Sequence, residues 1–96
     1  MRDPEVMARV KAILSKVEEV APGKSVELRI PPFAAIQCVA GTTHRRGTPP
    51  NVVEMDAKTL FDLFAGTLKW EDGVHSGAIH ASGTMSDLSK IGRAHV

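Results

Sequence analysis

The chain is poor in the residues that staple, stack or span. One cysteine, Cys38, stands among 96 residues, so neither an internal disulfide nor a thiolate-rich zinc site can form. Tyrosine is absent, and the aromatic set is Phe33, Phe61, Phe64 and Trp70. A base-stacking surface for single-stranded nucleic acid needs several exposed rings, more than this set supplies. Neither sign of charge dominates: 12 Lys plus Arg against 11 Asp plus Glu leave +1. No global field gathers polyanions, and no nucleic-acid partner is expected. Nothing nears the ~18 apolar residues of a membrane span. The first twenty residues alternate charged with apolar and lack the apolar run and cleavage site of a targeting signal. These absences point to a soluble, reduced, cytoplasmic protein with at most transient membrane contact.

What remains is ordinary globular material. Apolar residues are 43% of the chain and charged residues 24%, which fits one folded domain over residues 1–96 rather than a disordered segment. Asp3-Pro4-Glu5 reads as a helix start, with a capping oxygen, a proline at the first helical position and an acid at the positive end. Val6, Val10, Ile13, Leu14 and Val17 then form one helical stripe, and Pro22-Gly23 stops it. Residues 25–30 alternate, with Val26, Leu28 and Ile30 on one face, until Pro31-Pro32. Residues 34–40 make a second strand whose two faces are both fairly apolar, so partial cover of the second face is expected.

A polar connection from Gly41 to Pro50 follows, longer than the usual four to six residues or so. Asn51 to Met55 reads as a third strand. Asp56 caps a helix bearing Leu60, Phe61, Leu63 and Phe64, closed by Gly66. A further helical turn begins at Trp70 and stops near Gly77. Residues 78–82 make a fourth strand, and a last short helix runs from Thr84 or Ser86 through Leu88 and Ile91. The expected fold is α+β: a small antiparallel-rich sheet of four to five strands with helices on one face.

The catalytic inventory is thin. Gly73-Val-His-Ser-Gly77 lacks the Gly-x-Ser-x-Gly order that strains and exposes a nucleophile. His75 and His80 are five apart and outside any metal-ligand frame, so surface positions are the plainer reading, and no metal is expected. Cys38 lies mid-strand with no adjacent cation to lower its pKa, so a buried, inert thiol is expected. No glycine loop cradles a phosphate, and no cofactor is implied. The one charge concentration is His44-Arg45-Arg46, whose guanidinium groups suit a carboxylate or phosphate. Its plain alternative is a solvated loop.

The order of motifs resembles the lipid-binding domain of the sterol carrier protein-2 family. The resemblance lies in Val53-Glu-Met-Asp56, Leu60-Phe61-Asp-Leu63-Phe64-Ala-Gly66, Leu68-Lys-Trp70, Val74-His-Ser-Gly77, Ala78-Ile79-His-Ala-Ser-Gly83 and Met85-Ser-Asp-Leu88. The stretch Pro31-Pro-Phe-Ala-Ala-Ile-Gln-Cys38 with His44-Arg-Arg-Gly-Thr-Pro-Pro-Asn51 is similar to small bacterial, chiefly actinobacterial, sterol-carrier-like proteins. The resemblance implies a sterol carrier protein-2-like sandwich with a tunnel between sheet and helices. It also implies non-enzymatic carriage of a fatty acyl or sterol-like ligand. Positions matching the apolar lining are Leu60, Phe61, Phe64, Leu68, Trp70 and Val74, with Met85 and Leu88 near the tunnel's end. His44, Arg45 and Arg46 are candidates for an anionic head, although that loop is no part of the general family pattern. The family usually has five strands, and four are clear here.

Two other readings stay open at this point. The same fold with a filled core would act as an interaction or regulatory module, as a homodimer or beside a larger, mycothiol-dependent-type enzyme. An enzyme would use the histidine-arginine loop on an anionic substrate.

Overall fold

The computed structural model describes residues 3–40, 51–83 and Leu88. Helix α1 spans Pro4–Val20. The Asp3 carboxylate accepts from the amides of Glu5 at 2.9 Å and Val6 at 3.4 Å, which satisfies donors that the first turn leaves open. Val10, Leu14 and Val17 turn inward. Each such apolar side chain stabilises the fold by about 1.5–3 kcal/mol on burial. The helix ends where the Ala21 amide bonds back to Val17 and Pro22 forbids another turn.

Strand β1 is Val26–Ile30, β2 Ala34–Cys38, β3 Asn51–Glu54 and β4 His80–Ser82. They form one sheet in the order β2-β1-β3-β4. The β1–β2 and β3–β4 pairs are antiparallel, while β1 and β3 run parallel. The expected antiparallel-rich sheet is therefore mixed. Its parallel pair follows from connectivity: the chain leaves β2 and re-enters at β3 on the same end of the sheet, so β3 must run with β1. β1 alternates buried with half-buried positions along its length, as a strand with one covered face must.

Register sorts the two faces. Val26, Leu28 and Ile30 align with Cys38, Ile36 and Ala34 and with Asn51 and Val53 on the covered side. Glu27, Arg29, Gln37, Ala35, Val52, Glu54, His80 and Ser82 share the other side. There Arg29 bonds Glu27 at 3.0 Å and approaches Glu54 at 3.8 Å. Ala35 and Gln37 are exposed, so the second face of β2 has no cover among the described residues.

Helix α2 spans Ala57–Ala65 and α3 spans Trp70–Ser76. Asp56 caps α2 by accepting from the Thr59 amide at 2.8 Å, and Gly66, at φ 82, closes it in the left-handed conformation that glycine adopts without strain. Gly73 is buried in α3 because Ile79 folds back onto it, and a Cβ there would collide with the Ile79 side chain. Ile79 thus leaves the strand expected over 78–82, and β4 begins only at His80. The last expected helix lies outside the described residues, apart from Leu88, whose side chain is buried in the core.

Candidate functional site

The expected apolar lining separates into three environments. Leu60 is 1% exposed and belongs to the core with Val10, Leu14, Leu28, Val53 and Ile79. Leu88 joins the same cluster. Phe61, Phe64 and Trp70 are half-buried and pack against that core from outside, with Leu63 beside them. Leu68 is half-buried, and its Cδ2 lies over Gly73. Val74 stands 40% exposed. Met85, His44, Arg45 and Arg46 lie outside the described residues.

This separation comes from the sequence of α2. Leu60, Phe61, Leu63 and Phe64 fan over roughly 160° of the circumference of α2 at 100° per residue, a face broader than one narrow stripe, so they do not all bury equally. Leu60 takes the inward position. Phe61 turns toward α1, where the Arg9 guanidinium lies 4.1 Å from its ring centroid. That cation–π contact joins two helices far apart in sequence, and no local pattern announces it.

Two solvent-open hollows flank β4. The larger, about 520 Å3, is lined by Val52, Glu54, Val74, Gly77, Ile79, His80, Ala81 and Ser82. The second, about 400 Å3, is lined by Pro31, Glu54, Met55, Asp56, Gly77, Ala78 and His80. They share Glu54, Gly77 and His80. Their floors are core residues: Ile79 is 2% exposed and Met55 4% exposed. Glu54 and His80 are direct partners in the β3–β4 register. Of the expected lining residues that are described, only Val74 reaches these walls. Sequence reasoning missed Glu54 and Asp56 as wall residues, because the signal that unites them with His80 is strand pairing.

Two described groups, Cys38 and Asp56, have acidities moved by their surroundings. Burial, with the Glu18 carboxylate second, pushes the Cys38 thiol up to about 11, so the reactive thiolate is suppressed at neutral pH. The hydrogen bonds from Thr59 hold Asp56 below the usual carboxylate range. Among the described residues, no group of three or more His, Cys, Asp or Glu side chains is placed to hold a metal ion. No described helix is long and apolar enough to cross a membrane.

No curated protein matches the chain. Among solved structures, sterol carrier protein 2 like 2 from Aedes aegypti is similar at 16% identity and a TM-score of 0.45, over 93% of this chain and 92% of that one. The model of the family described as bacterial SCP ortholog matches residues 2–91, and the chain belongs to that family.

Proposed function

We propose that the protein binds and carries a hydrophobic or amphipathic small molecule, a fatty acyl or sterol-like lipid, without covalent chemistry. Membership of the bacterial SCP ortholog family carries this reading. The broad apolar face of α2, with Trp70 at the start of α3, supports it. Phe61, Phe64 and Trp70 are half-buried side chains packed against the core, and Leu68 is half-buried as well; a ligand tail inserted between sheet and helices would complete their burial. Such burial contributes about 25 cal/mol for each Å2 of apolar surface removed from water, so a long alkyl chain needs no charged contact to be held. The cytoplasm is the proposed compartment, with membrane contact limited to loading and release.

Trp70 is the single tryptophan and belongs to the proposed lining, which makes it the reporter. Titration with fatty acids, acyl-CoA and sterols should shift its emission saturably for at least one class. Flat titrations with all three, checked against native mass spectra that show no hydrophobic adduct, would remove the carrier reading.

A further inference from the structure

Half-buried apolar side chains of α1 and α2 form a margin around the core. On α1, Val6 and Ile13 flank the buried stripe of Val10, Leu14 and Val17. Arg9 lies roughly 40–60° beyond them on the same side, at 100° per residue. On α2 the order runs from Leu60 in the core through half-buried Phe64 to Phe61 at the edge, in steps of roughly 40° and 60°. The two outermost positions meet: the Arg9 guanidinium lies 4.1 Å from the Phe61 ring centroid. The seam between the helices thus grades from a cation at the surface, through aromatic and β-branched side chains, to the core.

The guanidinium rests on that ring although a carboxylate stands close in sequence. Glu5 is one turn earlier, at the spacing and in the order that helices use for ion pairs, yet no ion pair joins it to Arg9. The other described arginine, Arg29, is bonded to Glu27 at 3.0 Å. Asp62, the acid next to Phe61 in the chain, is held by Lys58 at 2.7 Å. Among the described residues the N–H donors of Arg9 therefore serve no protein acceptor. Five such donors in one plane match a carboxylate two at a time.

We propose that Arg9 receives the head of an amphiphile that ends in a carboxylate, with the tail passing beneath Phe61 between α1 and α2 toward Phe64 and the core. This assignment rests on the carrier reading and names its ligand class. The head stays at the surface, where the seam meets water, and the tail fills the space between helices and sheet. Burial of the tail supplies most of the affinity, and Arg9 supplies the choice of head. The charge contributes about fivefold, the upper end for an exposed ion pair, because the ring already restricts the arginine side chain.

The test titrates dodecanoate and methyl dodecanoate, which share a tail, into the full chain at low salt and follows Trp70 emission. Arg9→Met keeps an apolar stem over Phe61 and removes the charge. It should weaken dodecanoate about fivefold and leave the ester within about twofold. Arg9→Lys, which keeps the charge without the planar fork, should give an intermediate loss for the acid. With no substitution at all, raising salt from about 20 mM to about 0.5 M should weaken dodecanoate several-fold and should not weaken the ester. Equal losses for acid and ester in Arg9→Met, or an acid that the substitution leaves unmoved, would overturn the role of Arg9 while leaving carriage intact. So would a carboxylate whose binding ignores salt. Absence of binding by both ligands would remove the carrier reading itself and the role of Arg9 with it.

Discussion

Asp56 ties local folding to proton concentration. Its side chain caps α2 through the Thr59 amide, and that bonding lowers its pKa. The folded pKa is below the unfolded one, so the contribution is present above the ordinary carboxylate range and fades as pH falls through the lowered value. Asp56→Ala should cost about 1 kcal/mol at neutral pH. Asp56→Asn should cost little there and should remove this site's share of the acid-induced loss. Thermal melts of the three proteins from pH 7 down to about pH 3 separate these outcomes. A wild-type and Asp56→Asn pair with parallel acid profiles would contradict the assignment.

Gly73 offers a second residue-scale test, with two effects of opposite sign. Alanine is the better helix former by about 1 kcal/mol. Against that, its Cβ would overlap the Ile79 side chain, which is packed onto the glycine. Overpacking of this kind costs about 1–3 kcal/mol. Gly73→Ala should therefore lower the melting temperature, and Gly73→Ala with Ile79→Val should recover part of the loss. A single variant as stable as the parent would show that the α3–β4 turn yields freely.

At the scale of elements, the sheet is pinned where four strand ends converge. The Asn51 amide donates to the Ser25 carbonyl at 2.7 Å, and the Ser25 hydroxyl donates to the Val39 carbonyl at 2.6 Å. Asn51 and Ser25 are both 3% exposed. Leucine at position 51 is near in size but leaves the buried Ser25 carbonyl without that donor, at a cost of about 1–3 kcal/mol. In a domain of this length each kcal/mol corresponds to roughly 4–8 °C, so Asn51→Leu should melt visibly early. An unchanged midpoint would mean that the sheet end holds without this bond.

The same scale shows what local pattern conveys. Helix α1 was legible because a cap, a proline and a single stripe agree, and they agree with its observed bounds. The faces of β1 were legible because alternation has only one inward solution. Neighbours were not. Alternation sets which side of a strand is greasy, yet it is silent on whether β1 pairs with β3, and on the direction of that pair. Fourfold apolar α2 marked an apolar region, but the division between Leu60, buried in the core, and Phe61 and Phe64, half-buried with Phe61 under Arg9, depends on helices that meet only in three dimensions. The pairing of Glu54 with His80 was hidden for the same reason: β3–β4 register creates it.

The molecule as a whole can be read through its one thiol. Cys38 is fully buried in the shared core, with its pKa pushed up to about 11. At pH 8 a disulfide reagent such as dithionitrobenzoate reacts with the thiolate, so the native state is protected twice, by burial and by protonation. Labelling must wait for an opening that exposes β2, and its rate reports the population of that opened form. A small domain has a narrow stability margin, so slow but measurable labelling is expected, accelerating steeply in mild denaturant. A ligand that binds only the folded state lowers the opened fraction by the factor 1 + [L]/Kd. At a ligand concentration about ten times Kd, labelling should slow roughly elevenfold, with no ligand atom required near the sulfur. Stoichiometric reaction within seconds in native buffer would contradict the burial of Cys38. Slow labelling that an amphiphile fails to retard, when Trp70 emission shows it bound, would mean that the amphiphile clings to the surface without stabilising the fold.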